Sequence, residues 1–192
     1  FAKTTGTAPR VIDSKGIDRI IHRLRRPSIG EQVRLLKYFS SEKPDVVVME
    51  CMAVQPQYQW ISEHQMVKSH IGVITNARPD HLDEMGPTEV DVVKSLCNSI
   101  PVGGTLVTAE NKHKDILQSV ADRNESEIFF SDESSVSEND LNKFAYIEHP
   151  QNIAIALDVC HKMGVERDIA LNGMHSVQPD LGALVVWKLL GK

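Results

Sequence analysis

The sequence predicts an α/β fold, a mostly parallel sheet flanked by helices, and three observations carry that expectation. Two short β-branched runs, residues 46–49 and 71–75, have strand character, and each ends in polar residues that a buried strand would not keep inside. Residues 56–68 between them are long enough for a crossover helix. Pro56 suits a first helical turn, and Tyr58, Ile61 and the Gln65/Met66 pair lie about a turn apart. Further strand-like runs at 105–108 and 127–130 are then separated by helical stretches.

In a parallel sheet the carboxyl ends of adjacent strands line one crevice, and ligands bind there. Glu50 and the cluster of Asp80, His81 and Asp83 are therefore expected at one cleft. A carboxylate and an imidazole at strand tips can hold a divalent cation, and a cation in such a crevice commonly serves phosphate chemistry. From the residues alone, Glu50 as a cap of the next turn and His81 as an ordinary loop histidine fit equally well.

A chain of 192 residues suits one α/β domain with a sizeable core, and a single domain over 1–192 is expected. A net charge of -5 and a pI near 5.9 argue against nucleic acid or an anionic membrane surface as the main partner. Arg19, Arg23, Arg25 and Arg26 form the one basic cluster. Cys51, Cys97 and Cys160 show no CxxC spacing, which fits a reducing compartment and buried thiols that act as small hydrophobes. No apolar run approaches the roughly 18–20 residues of a membrane span and no signal peptide is visible, so the chain is expected to be soluble.

Along the chain, residues 3–7 make a Thr/Gly-rich loop whose hydroxyls and backbone N–H groups can receive an anion. Residues 11–24 have no clean period and are expected to be irregular or a short strand pair. A helix opens near residue 28, with Ser28 and Glu31 spaced as a capping box and Val33, Leu35, Leu36 and Phe39 on its apolar side. Residues 90–100 form an amphipathic helix that begins with acidic residues. Glu110 ends the strand at 105–108, just before a helical stretch at 112–122. The serine-rich, acidic residues 131–140 are expected to be a mobile surface loop. Residues 153–163 form a helix with Ile153, Ala156, Leu157 and Cys160 on one side. Asn152 before it has the place of a cap, Gly164 stops it, and the next helix should end near Gly173.

Several blocks together resemble one family. Residues 50–54, Glu-Cys-Met-Ala-Val, are followed by Ile-Gly-Val-Ile-Thr-Asn-x4-His-Leu-Asp-x-Met-Gly-Pro-Thr at 71–88. The combination is similar to the ATP-dependent ligases of poly-γ-glutamate synthesis, a branch of the Mur ligase family. The Thr-Asn-x3-Asp-His-x-Asp portion resembles the wider signature of Mur ligases and folylpolyglutamate synthases. Lys-Thr-Thr-Gly-Thr at 3–7, Ile-Gly-Glu-Gln at 29–32 and Pro-Asp-x-Gly-Ala at 179–183 extend the match from about Lys3 to about Leu184. Ser28 stands where the relatives usually carry Asn, and the histidine–arginine pair of other Mur ligases is missing near 179–184.

The resemblance implies a Mur-ligase central domain, P-loop NTPase-like in architecture, without its first strand and P-loop: no Gly-x4-Gly-Lys-Ser/Thr occurs in these residues. The chain is thus expected to be an N-terminally truncated piece without a separate C-terminal ligase domain, binding ATP weakly or not at all in isolation. The implied activity is an ATP-dependent acid–amino-acid ligase that adds glutamate to a poly-γ-glutamate chain through an acyl phosphate, with ATP and Mg2+. Glu50 and His81 are implied as metal ligands and Asn152 as the adenine contact. Thr4, Thr5, Gly6, Thr7, Asp80 and Asp83 are implied in the phosphate and substrate loops. None of these is implied as a nucleophile. Lys94 stands near the place of a carbamylated lysine in many Mur ligases, though an exposed helix lysine fits the local sequence better. Implied partners are small membrane subunits of a synthase complex, and the full-length protein is expected at the cytoplasmic face of the cell membrane. Alternatives are another Mur-type ligase, folylpolyglutamate-synthase-like, or a non-catalytic docking subunit.

Overall fold

The computed structural model describes residues 2–4, 10–22 and 29–177. The chain divides into two compact units built from interleaved segments, Phe1–Ser69 with Pro79–Ser99, and His70–Arg78 with Ile100–Lys192. Each is α/β.

In the first unit, β1 (Ala2–Thr4), β2 (Arg10–Ile12), β3 (Asp18–Ile20) and β4 (Val48–Met49) form a sheet in the order β3-β2-β1-β4. β2 pairs antiparallel with both β1 and β3, and β1 pairs parallel with β4. The region expected to be irregular or a strand pair is thus a hairpin. Asp13 makes its turn, because its carboxylate accepts from the backbone N–H of Lys15 and Ile17, at 2.9 and 3.0 Å, and Gly16 supplies a φ of 76°.

Helix α1 (Ile29–Glu42) matches the expected helix, although Ser28, its expected cap, lies outside the described residues. Its buried face differs from the apolar one expected. Phe39 is buried, but so are Glu31 and Gln32, while Val33 is half exposed. Helix α2 (Pro56–Ile61) runs on into a π-helical turn, Ser62–Val67, and here too the buried side is polar. Gln59, Ser62 and Glu63 are buried while Tyr58 and Trp60 are exposed, a correction to the expected apolar spacing. Each buried polar group has a partner, as burial demands. Ser95 donates to Gln59 at 2.8 Å, Ser62 to Gln32 at 3.3 Å, and the Ser69 N–H to Glu63 at 2.8 Å.

Helices α3 (Leu82–Met85) and α4 (Glu89–Leu96) complete this unit. A capping box starts α4: the Thr88 hydroxyl accepts from the Asp91 N–H, and the Asp91 carboxylate accepts from the Thr88 N–H. Gly86 must be glycine, because its φ is 120° and a Cβ there would come 2.5 Å from that of Asp91.

The second unit holds β5 (Ile71–Ile74), β6 (Thr105–Thr108) and β7 (Glu127–Phe130), an all-parallel sheet with β6 in the middle. Helix α5 (Lys114–Arg123) connects β6 to β7. The parallel α/β expectation is met here, but one pairing is corrected. The strands around 46–49 and 71–75 belong to different sheets, since β4 pairs with β1 and β5 with β6. β-branched composition marks an extended, half-buried backbone and does not name its neighbour.

Residues 131–140, expected to be a mobile loop, are ordered by their own side chains. A 3₁₀ turn at Glu133–Ser135 and helix α6 (Glu138–Leu141) carry an Asp132 cap and a Ser137/Asp140 capping box. Val136 joins a core cluster with Ile153, Ala154, Leu157, Ala170 and Leu171. These come from α7 (Pro150–Lys162) and α8 (Arg167–Ser176), which turn about Gly164. Gly173 lies inside α8 rather than at its end. Arg167 donates to the Asp140 carboxylate at 3.1 Å. Burial works to raise the Asp140 carboxyl, but bonds from Ser137 and Arg167 outweigh it and hold it below its ordinary value.

A carboxyl held low when folded adds stability above its unfolded pKa of about 3.9, and that stability fades as pH falls through the lower folded value. Asp140→Asn is therefore expected to lower unfolding stability at neutral pH by about 1–3 kcal/mol. The gap to the natural protein should close on acidification below about pH 3.9. Urea midpoints at neutral and acid pH measure it, and a gap that stays constant would contradict the assignment.

Candidate functional site

Glu50 follows β4 directly and is exposed at its tip. Its backbone carbonyl accepts from Gln32 Nε2 at 3.2 Å, so the tip of β4 is tied to α1. Cys51, next in the chain, is exposed rather than buried as expected. Cys97 is buried, and Cys160 is partly buried beside the α7–α8 core.

Asp80, His81 and Asp83 lie in one exposed turn where the chain enters α3. His81 has φ 47° and ψ 43°, a left-handed conformation that histidine, asparagine and aspartate adopt more readily than most residues. Its imidazole is 53% exposed, and Nε2 stands 3.8 Å from an Asp80 oxygen. The His81 N–H donates to the same oxygen at 2.9 Å. The segment after Glu50 and this turn are linked within the first unit, because Gln55 Nε2 donates to Glu84 Oε2 at 2.7 Å.

Among the described residues no group of three or more His, Cys, Asp or Glu side chains is gathered to hold a metal. Mg2+ does not call for such a group, since it keeps several waters and takes one or two protein ligands together with substrate phosphates rather than a full protein shell. Glu50 carries carboxylate oxygens and His81 a ring nitrogen, the two donors that the resemblance implies for such an ion.

In the second unit, Asn152 is exposed in the first turn of α7. It does not cap that helix. His149 holds the cap position, and Asn152 Nδ2 donates to Glu148 at 2.9 Å. Thr4 closes β1, while Thr5, Gly6 and Thr7 lie outside the described residues. Lys94 is exposed in the last turn of α4.

Glu110 is the residue whose place the sequence least conveyed. It is only 7% exposed, and one carboxylate oxygen accepts from the Ala77 N–H at 2.9 Å. The other accepts from the Lys112 and His113 N–H groups at 2.7 and 3.2 Å. Thr108 works beside it, donating to the Ile74 carbonyl at 2.6 Å and accepting from the Glu110 N–H at 3.0 Å. Together they lock the tips of β5 and β6 and the entry to α5. The signal was Thr-Ala-Glu at a strand end, where a buried carboxylate has only backbone N–H groups to satisfy it.

The polar residues after β4, β5 and β6 stand at the carboxyl ends of their strands, where α/β folds commonly bind their ligands. Residues 16–187 match the Mur ligase middle domain, and the chain belongs to that family. The chain is 38% identical over 187 residues to the capsule biosynthesis protein CapB of Bacillus anthracis, covering 95% of this chain and 40% of that protein. It is 33% identical over 190 residues to the PGA synthase CapB of Bacillus subtilis (strain 168), covering 98% of this chain and 48% of the relative. The chain thus spans less than half the length of these relatives. No solved structure matches it.

Proposed function

We propose that this chain is the nucleotide-handling part of an ATP-dependent amide ligase that extends poly-γ-glutamate in capsule synthesis. The observation that carries the reading is the similarity to the two CapB proteins along nearly the whole chain, which includes the Glu50 and His81 blocks. The link from Gln55 to Glu84 supports it, since it ties together the two segments that bear those residues.

In this reading the terminal carboxylate of the glutamate chain attacks the γ-phosphorus of ATP, ADP departs, and an acyl phosphate forms. The amine of an incoming glutamate attacks the acyl carbon, phosphate leaves, and the amine proton passes to solvent. Glu50 and His81 would hold Mg2+, which neutralises charge on the transferring phosphoryl group. Asn152 would present its amide to the adenine, after exchanging its bond to Glu148. Thr4, Thr5, Gly6 and Thr7 would face the phosphates, and Asp80 and Asp83 would shape the turn that carries His81. Small membrane subunits would anchor the full-length protein at the cytoplasmic face. Among the described residues no helix is long and apolar enough to cross a membrane.

The test supplies the full-length protein with labelled glutamate, ATP and Mg2+ and analyses the products. Labelled polymer with release of ADP is expected. Ligation of a different acid would favour another Mur-type substrate, and the absence of ATP turnover in the assembled complex would favour a docking role.

A further inference from the structure

We infer that Arg78, presented beyond the tip of β5 together with Thr75 and Asn76, recognises an oxyanion of the reactants, a carboxylate of the glutamate chain or a phosphate of ATP. The inference deepens the proposed function and rests on it. It starts from the buried bonding devoted to one short stretch of backbone. Thr108 is 0% exposed, and its hydroxyl donates to the Ile74 carbonyl at 2.6 Å. Glu110 is 7% exposed, and its carboxylate accepts from the Ala77 N–H at 2.9 Å. The exit of β5 is thus bonded at Ile74 and again at Ala77 to the carboxyl end of β6, the middle strand of the sheet. All of these residues belong to the second unit.

What this anchored stretch presents is polar and uncommitted. Thr75 is exposed and Asn76 half-buried, and neither side chain bonds to another described residue. Arg78 follows directly on the buried Ala77, is exposed, and its guanidinium likewise pairs with no described residue. Arg10, Arg19 and Arg167, by contrast, are each held by an aspartate. A guanidinium offers a planar fork of N–H donors that matches carboxylate and phosphate oxygens, and a hydroxyl and an amide beside it add neutral donors. The place also suits a ligand, because parallel α/β sheets bind theirs beyond the carboxyl ends of the strands. Both the glutamate chain and ATP are anions, and the chain itself carries a net charge of -5, so a local cation is what offsets their repulsion.

The test uses the full-length protein with Mg2+, ATP, labelled glutamate and short poly-γ-glutamate as acceptor, and reads the KM for the acceptor and the KM for ATP separately. Arg78→Gln removes the charge, and Arg78→Lys keeps the charge without the fork. Arg34→Gln removes the same charge from an exposed place on α1, and is the control. Arg78→Gln is expected to raise at least one of the two KM values by about 10–100-fold, the range of a hydrogen bond to a charged group, and to lower kcat by less. Arg78→Lys should recover part of that loss, and Arg34→Gln should match the natural protein. A rise for the acceptor identifies a carboxylate as the anion, and a rise for ATP identifies a phosphate. Both KM values unchanged in Arg78→Gln, or an equal rise in Arg34→Gln, overturn the inference and leave the ligase reading in place. A natural protein that forms no labelled polymer from ATP removes the ligase reading, and the inference with it.

Discussion

Glu50→Gln in the full-length protein is expected to lower ligation by at least about 10²–10³-fold, the loss usual when one preorganised electrostatic partner is taken from a reacting centre. The fold should survive. Glu50 is exposed, Gln has the same shape, and the bond from Gln32 goes to the Glu50 backbone, which the substitution leaves alone. Surface changes of this kind usually move stability by no more than about 0.5 kcal/mol. His81→Ala should have a comparable effect on activity, with one complication in the backbone. Position 81 sits at φ 47°, where alanine is strained by about 1–2 kcal/mol. His81→Asn is the cleaner companion, since asparagine tolerates that conformation and carries no imidazole. Circular dichroism and urea unfolding should show native folds for Glu50→Gln and His81→Asn. Full ligation by either variant would refute the metal assignment.

The second large effect is on stability. Leu106 is at 0% exposure in the middle strand of the parallel sheet, with Gly72 and Ile128 opposite it in register. Leu106→Ala is expected to cost about 2–5 kcal/mol, from lost transfer energy and the cavity left behind. Val102→Ala, three residues before β6 and well exposed, should change stability by no more than about 0.5 kcal/mol. Urea unfolding of the two variants against the natural protein measures the difference. Similar midpoints for both would mean that β6 is not the centre of the second unit.

How far the sequence could be read follows from what each residue had to satisfy. β5, β6 and β7 were legible because short runs of β-branched or aromatic residues ending in polar groups have few other uses. α4 and α7 were legible from their apolar spacing, with boundaries off by a few residues. The buried sides of α1 and α2 were not, because Gln32, Gln59, Ser62 and Glu63 look like surface residues until their partners are known. The Gln32–Ser62 and Gln59–Ser95 pairs are 30 and 36 residues apart in the chain, beyond the reach of any periodicity. Residues 131–140 looked disordered by composition, yet the same serines and aspartates make local caps that order them.

For the candidate site, the strand-tip place of Glu50 and the turn of Asp80, His81 and Asp83 were visible in advance. That Asn152 lies inside the first turn of α7 and not at its cap was not, since it depends on the helix starting at Pro150. The burial of Glu110 was not visible either. An acid before a helix is common, and only the fold shows three backbone N–H groups turned onto it.

The interleaving of the two units bears on how the protein is made. As the chain emerges from the ribosome, His70–Arg78 appears while the first unit still awaits Pro79–Ser99, yet this segment belongs to the second unit. Among the described residues β5 pairs only with β6, which is synthesised about thirty residues later, and in that interval a bare strand edge can meet other nascent chains. A late partner for β5 thus makes the stretch of synthesis between the two strands an exposed one for this protein.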